Sequence, residues 1–160
     1  EFRRVLFRSL KQYSQAQRQA LNAWTKMLRC VGTVVHSDRM IMDENGLTIS
    51  QFDIMETLYH KGPLCQKALG QKILKSGGNI TKVVDNLERG GFVIRIRDEK
   101  DRRYFTISLT NKGTAKIKVT FPLVMNNLVK TFSILTEQEQ QTLAELCKRI
   151  GLETKKENQK

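Results

Sequence analysis

The chain has 160 residues, enough for one domain with a core of its own, and 39% of them are hydrophobic and spread throughout. Its formal net charge of +12 points to a polyanionic partner, because lysine and arginine placed on phosphates release condensed counterions. No apolar run approaches the ~20 residues that span a bilayer, and Val5-Leu6-Phe7 is too short for a secretory core, so a cytoplasmic protein without a membrane partner is expected.

Residues 1–9, EFRRVLFRS, lack an initiator methionine and join awkwardly to the helical pattern after them. They read as an extraneous or disordered segment, the alternative being a basic arm that touches DNA through Arg3, Arg4 and Arg8. A long helical pattern then runs from about Leu10 to Met42, with Leu21, Trp24, Leu28, Val31 and Val35 at spacings of three and four. A helix of that length outgrows a small core, so part of it is expected to pack on another subunit. Asp43-Glu44-Asn45-Gly46 is a turn cluster.

Thr48 and Gln51 have the spacing of a capping box and open the next helix, whose inner stripe is Phe52, Met55, Leu58 and Tyr59. Gly62 and Pro63 stop it. A helix through Leu74 comes next, with Ala68, Leu69, Ile73 and Leu74 inward. Cys65 stands where a serine or threonine cap is expected, so this helix starts weakly.

The stretch Ser76 to Gly91 reads as a further short helix. Ser76 is its N-cap, Ile80, Val83, Val84 and Leu87 form one face, and Gly90-Gly91 is the stop. Gly78, Asn79, Thr81, Lys82, Asp85, Asn86 and Arg89 remain outward. That face is rich in hydrogen-bonding groups and low in bulk, which suits a helix laid in a DNA major groove, although a solvated surface helix has a polar face too. Two short helices joined by a tight turn, the second polar outside, make a helix-turn-helix.

The period then changes to two. Phe92, Ile94 and Ile96 alternate with Val93, Arg95 and Arg97, and Phe105, Ile107 and Leu109 alternate with Tyr104, Thr106 and Ser108. Two strands with a one-sided apolar face are expected, joined by the charged tip Asp98 to Arg103. Between Lys61 and Thr110 eleven Lys/Arg face five Asp/Glu, so much of the positive charge surrounds the polar-faced helix. A solvated turn accounts for the charged tip, yet a basic hairpin directly after such a helix can also reach the adjacent minor groove.

Thr110 caps a long helix to about Phe132, which Pro122 is expected to kink. Thr136 and Glu139 form another capping box and open a last helix to about Ile150, striped by Leu143, Leu146 and Ile150. Leu152 to Lys160 is polar and expected to fray.

Cys30, Cys65 and Cys147 are odd in number and far apart, forming neither a disulfide framework nor a CxxC pair; each is expected to be a small buried residue, with Cys30 a candidate redox sensor. His36 and His60 are too few for an obvious zinc site, so neither a metal nor another cofactor is expected. No nucleophile-base pair or phosphate loop is apparent, and SGGN lacks the Gly-Lys-Ser/Thr ending of a P-loop, which speaks against an enzyme.

Three segments, LTISQFDIMETLYHKGPL at 47–64, SGGNITKVVDNLERGGFVIR at 76–95 and RDEKDRRYFTISLTNKG at 97–113, together resemble the MarR family of bacterial transcription regulators. The resemblance covers roughly Leu21 to Leu152. It implies a mainly α fold with a small β-hairpin wing, a winged helix-turn-helix whose terminal helices form a dimerisation region. Its parts are an N-terminal dimerisation helix at 10–46, the DNA-binding region at 47–110, C-terminal dimerisation helices at 111–152 and a polar tail at 153–160. It also implies a homodimer on a pseudo-palindromic operator of double-stranded DNA, often relieved by a small ligand or by thiol oxidation.

Carried over onto these positions, the DNA-binding set is Lys75, Ser76, Gly78, Asn79, Thr81, Lys82, Asp85, Arg89, Arg95, Lys100, Arg102 and Arg103, with Asp101 holding the arginines of the wing. Asparagine suits adenine and lysine can reach guanine or a phosphate, so Asn79, Thr81 and Lys82 lead as base or adjacent phosphate contacts. Asp85 accepts from cytosine or orients a neighbouring base-contacting side chain. Trp24, His36, Phe52, Met55 and Tyr59 could line an effector pocket of the kind the family places between dimer helices and DNA module, though aromatic and methionine stripes at helical spacing are usually core. The expected function is a sequence-specific DNA-binding regulator, a repressor; the alternative is a winged-helix module that binds protein and has no specific DNA target.

Overall fold

The computed structural model describes residues 12–73, 80–97 and 105–157, the last helix with side chains as far as Leu152. Their elements are α1 (Gln15–Glu44), α2 (Ile49–Lys61), β1 (Leu64–Cys65), α3 (Gln66–Lys72), α4 (Ile80–Arg89), β2 (Val93–Arg97), β3 (Phe105–Leu109), α5 (Asn111–Phe132) and α6 (Glu137–Glu157). The fold is mainly helical with one small antiparallel sheet, as expected. The chain divides into two compact units, one up to Asp38 and one from Arg39 onward.

In the first unit, α1 begins at Gln15 rather than near Leu10. Ser14 explains the start, since its hydroxyl accepts from the Gln17 amide (3.2 Å) while Gln17 Oε1 accepts from the Ser14 amide (2.8 Å), a capping box that the apolar periodicity does not reveal. The expected stripe of Trp24, Leu28, Val31 and Val35 is on α1 and exposed in the single chain.

In the second unit, α1 ends in a Schellman turn. Gly46 adopts φ 68° while its amide donates to Asp43 and the Leu47 amide donates to Met42, so the chain reverses without stranding carbonyls. Both halves of the Thr48/Gln51 capping box are present at the start of α2. That helix inserts Phe52, Ile54, Met55 and Leu58 into a core shared with Leu69, Val84, Leu87, Ile107 and Ile117. Cys65 makes no side-chain cap bond to α3, in keeping with its chemistry. Its backbone instead joins the sheet, which has the order β1-β3-β2, with Leu64 opposite Ile107 and Cys65 opposite Thr106. This third strand was not expected; two residues are too short to carry a period.

Strand β2 has the opposite phase from the one the alternation suggests, while β3 turns Ile107 and Leu109 inward as expected. Val93 and Arg95 pair with Leu109 and Ile107, and directly opposed residues share a face of the sheet. Ile107 is fully buried and Val93 nearly so, whereas Ile94 and Ile96 are about half exposed, at 48% and 51%. The phase is set at the exit of α4. There Gly91, at φ 73°, closes a second Schellman turn in which its amide donates to Glu88 and the Phe92 amide to Leu87.

Thr110 caps α5, accepting from the Gly113 amide at 3.0 Å and donating to the Gly91 carbonyl at 2.7 Å, so one hydroxyl ties the helix start to the end of α4. Gly113 is required there, because a Cβ at that position would lie 2.0 Å from the Phe92 carbonyl oxygen. Helix α5 continues through Pro122, which has no amide hydrogen for the preceding turn. The buried Thr120 is satisfied locally by donating to the Lys116 carbonyl at 3.1 Å. The Thr136/Glu139 box opens α6, which passes Ile150 and Gly151 and reaches Glu157. The expected end near Ile150 is corrected: residues 152–157 contain neither proline nor glycine, and a polar sequence without a stop signal extends a helix already nucleated.

Candidate nucleic-acid interface

Helix α4 buries Ile80, Val84 and Leu87, and this leaves the opposite side outward. Thr81, Lys82 and Arg89 are exposed and Asn86 is half-buried, as are Asp85 and Glu88, which lie toward the sheet. Helix α3 comes close against the start of α4, since a Cβ on Gly70 would be 3.2 Å from Ile80 Cδ1. A polar link reinforces the approach: Gln66 Nε2 donates to Thr81 Oγ1 at 2.6 Å, bridging the first residue of α3 and the second of α4. Gln66 was missed because its partner is fifteen positions away, beyond any local periodicity.

The carboxylates of α4 are engaged by the hairpin. Arg95 on β2 donates from one terminal nitrogen to Glu88 and from the other to Asp85 at 2.5 Å, and its backbone amide donates to Glu88 at 3.1 Å. Burial works against the charge of this guanidinium, but hydrogen bonds and charges from Asp85 and Glu88 outweigh it and hold its pKa above the usual value. Arg95, expected among the DNA contacts, is therefore turned onto the protein's own acids. Its strand phase points it at α4, and two acids there outcompete water for its fork. Arg95 thus pairs with both carboxylates of α4, one positive charge shared between two negative ones.

At the other end of the helix, Arg89 donates to the Asn86 side chain. Lys112 on α5 donates to the Gly90 carbonyl at 2.7 Å with its ammonium 4.8 Å from the centre of the Phe92 ring. A cation at a helix C-terminus is favourable. On the hairpin, the Arg97 guanidinium lies over Phe105, 5.7 Å from the ring centre. Lys75, Ser76, Gly78 and Asn79, and with them Lys100, Asp101, Arg102 and Arg103, lie outside the described residues.

The residues considered for an effector pocket have different placements. Phe52 and Met55 are enclosed in the core of the second unit, while Tyr59 is at its surface. Trp24 and His36 are exposed on the first unit. The cysteines depart from expectation: Cys30 and Cys147 are exposed and Cys65 is half-buried. The first two sit on long helices whose outer faces nothing in the single chain covers. Among the described residues no helix is long and apolar enough to cross a membrane.

The MarR family model matches residues 47–105, from the turn before α2 to the first residue of β3. YkoM of Bacillus subtilis, an HTH-type transcriptional regulator, is 34% identical over 136 residues, covering 84% of this chain and 87% of its own length. Among solved structures, AbsC, a MarR family transcriptional regulator from Streptomyces coelicolor, superposes with a TM-score of 0.80 at 19% identity, over 91% of this chain and 99% of its own. A mutant MarR from E. coli complexed with operator DNA superposes with a TM-score of 0.68 at 22% identity, over 81% and 96%. With an exposed helix-turn-helix braced by its wing, and with relatives that are transcriptional regulators along most of their length, the chain belongs to the MarR family of winged helix-turn-helix, DNA-binding transcription regulators.

Proposed function

We propose that the protein is a homodimeric repressor that occupies a pseudo-palindromic operator. The observation that carries this reading is the α4 surface, where Thr81, Lys82 and Arg89 face outward and both carboxylates are paired by Arg95. Lys82, Arg89 and Arg95 set three positive charges against these two carboxylates, so the helix brings net positive charge to the phosphates flanking a major groove. Thr81 and Lys82 then contact base edges or adjacent phosphates, Arg89 contacts the backbone, and Lys75, Ser76, Gly78 and Asn79 extend the set. Lys100 and one of Arg102 or Arg103 serve the minor groove, with Asp101 holding the wing arginines.

Uncovered apolar helix faces support the homodimer. The first unit exposes Trp24, Leu28, Val31 and Val35, and the second exposes Leu123, Val129, Ile134, Leu143 and Ile150. Stripes of this length on a monomer mark an interaction surface. Two-fold symmetry presents two recognition helices to half-sites about 34–36 Å apart. Relief by a small ligand or by oxidation of the exposed Cys30 extends the proposal, and unchanged DNA affinity with oxidants and ligands would remove that extension.

The test is selection from randomised duplex DNA at about 0.15 M salt, the physiological ionic strength. An inverted repeat is expected. Recovery of nothing beyond unselected sequence would instead favour a winged-helix module that binds protein.

A further inference from the structure

We infer that Gln66 sets the hydrogen-bonding sense of Thr81 and thereby makes Thr81 select a base that offers an acceptor to the major groove. This rests on the proposed binding to DNA and deepens it. The observation is the 2.6 Å contact from Gln66 Nε2 to Thr81 Oγ1, across the two helices of the helix-turn-helix and on its exposed side. An amide nitrogen only donates, so the threonine oxygen accepts from Gln66. A hydroxyl has one hydrogen and two lone pairs, and receiving a bond at oxygen makes its own O–H a stronger donor. Outward from the helix, Thr81 therefore presents mainly a donor. Purine N7, guanine O6 and thymine O4 answer a donor, whereas cytosine presents its N4 amino group at the same edge.

Neither residue is in the core: Thr81 is exposed and Gln66 half-exposed, so both can be altered without opening packed structure. Gln66→Glu reverses the pair. A carboxylate only accepts, the Thr81 hydrogen turns inward to it, and lone pairs alone face the groove, a surface suited to the amino groups of cytosine or adenine. Gln66→Ala frees the hydroxyl to serve either sense. Thr81→Val keeps the shape and removes the hydrogen-bonding group.

The experiment is selection from randomised duplex DNA by the full chain and by Gln66→Glu, Gln66→Ala and Thr81→Val, each checked for an unchanged circular dichroism spectrum. The wild type is expected to discriminate against cytosine by about five-fold at one position in each half-site, the scale of one neutral hydrogen bond. Thr81→Val should erase that preference, Gln66→Ala relax it, and Gln66→Glu shift it toward cytosine or adenine while lowering affinity uniformly through its charge. A wild-type site whose base preferences are unchanged by Gln66→Glu at every position overturns the inference and leaves the regulator standing. Failure of the wild type to recover any site overturns both.

Discussion

Arg95 reaches back ten residues from the first long strand to Asp85 on the recognition helix, with its terminal nitrogen 2.5 Å from the carboxylate. The same guanidinium holds Glu88, one turn further along. Wing and recognition helix are thus joined by a fork that fixes their relative orientation, in addition to the apolar packing beneath them.

Replacing Arg95 by alanine should weaken operator binding without changing its salt dependence, since no phosphate contact is lost. Lys82→Ala, by contrast, should reduce the slope of log K against log salt by about 0.9 if Lys82 sits on a phosphate. Filter binding or anisotropy over a salt series separates the two. An equal change of slope for both variants would return Arg95 to the DNA contacts. The folded state should also lose about 1 kcal/mol in urea denaturation, a modest figure because both carboxylates remain partly exposed.

Gly113→Ala should destabilise the fold by about 3 kcal/mol, the upper range for overpacking, because the Cβ would meet a backbone carbonyl rather than a yielding side chain. The denaturation midpoint reads this directly. A loss below roughly 1 kcal/mol would mean that α5 and the Phe92 backbone can separate cheaply.

Thr48→Ala should cost about 1 kcal/mol, since the hydroxyl that accepts from the Gln51 amide is lost, the backbone half of the α2 capping box remains, and α2 carries four core residues. At the second box the readout is protonation. The Thr136 amide, and then its hydroxyl, hold the Glu139 carboxyl below the usual carboxylate range. A depressed folded-state pKa gives stabilisation that is present above the unfolded pKa and lost as the pH falls through the folded value, so the α6 start should weaken only in acid. In a side-chain NMR titration, Thr136→Ala should move Glu139 upward. No movement would mean that the backbone amide alone sets it.

Val31→Glu, on the uncovered stripe of α1, should shift sedimentation from dimer toward monomer at micromolar concentration and weaken operator binding with it. A variant that remains dimeric would place the subunit contact elsewhere.

Most helices and several of their caps were legible from the sequence because their causes are local, although the Ser14/Gln17 start of α1 and the end of α6 were not. Apolar residues three and four apart, Thr48 with Gln51, Thr136 with Glu139, and Gly91 after Leu87 each act within about one turn or two of chain. The polar face of α4 was legible for the same reason, and so was the weak start at Cys65. The family followed from three such segments read together.

What the tertiary structure decided lies between residues far apart in the chain. Alternation says that one face of a strand is buried without saying which, and the turn at Gly91 with the pairing of Arg95 and Ile107 put Val93 inside and Ile94 and Ile96 outside. The two-residue strand at Leu64 exists only because β3 supplies its partner. That Arg95 pairs with Asp85 and Glu88, and Gln66 with Thr81, follows from no local spacing, because the partners lie seven to fifteen residues apart. Local spacing determines which elements form; the long-range pairing of charges and hydrogen bonds determines which polar side chains are held within the fold.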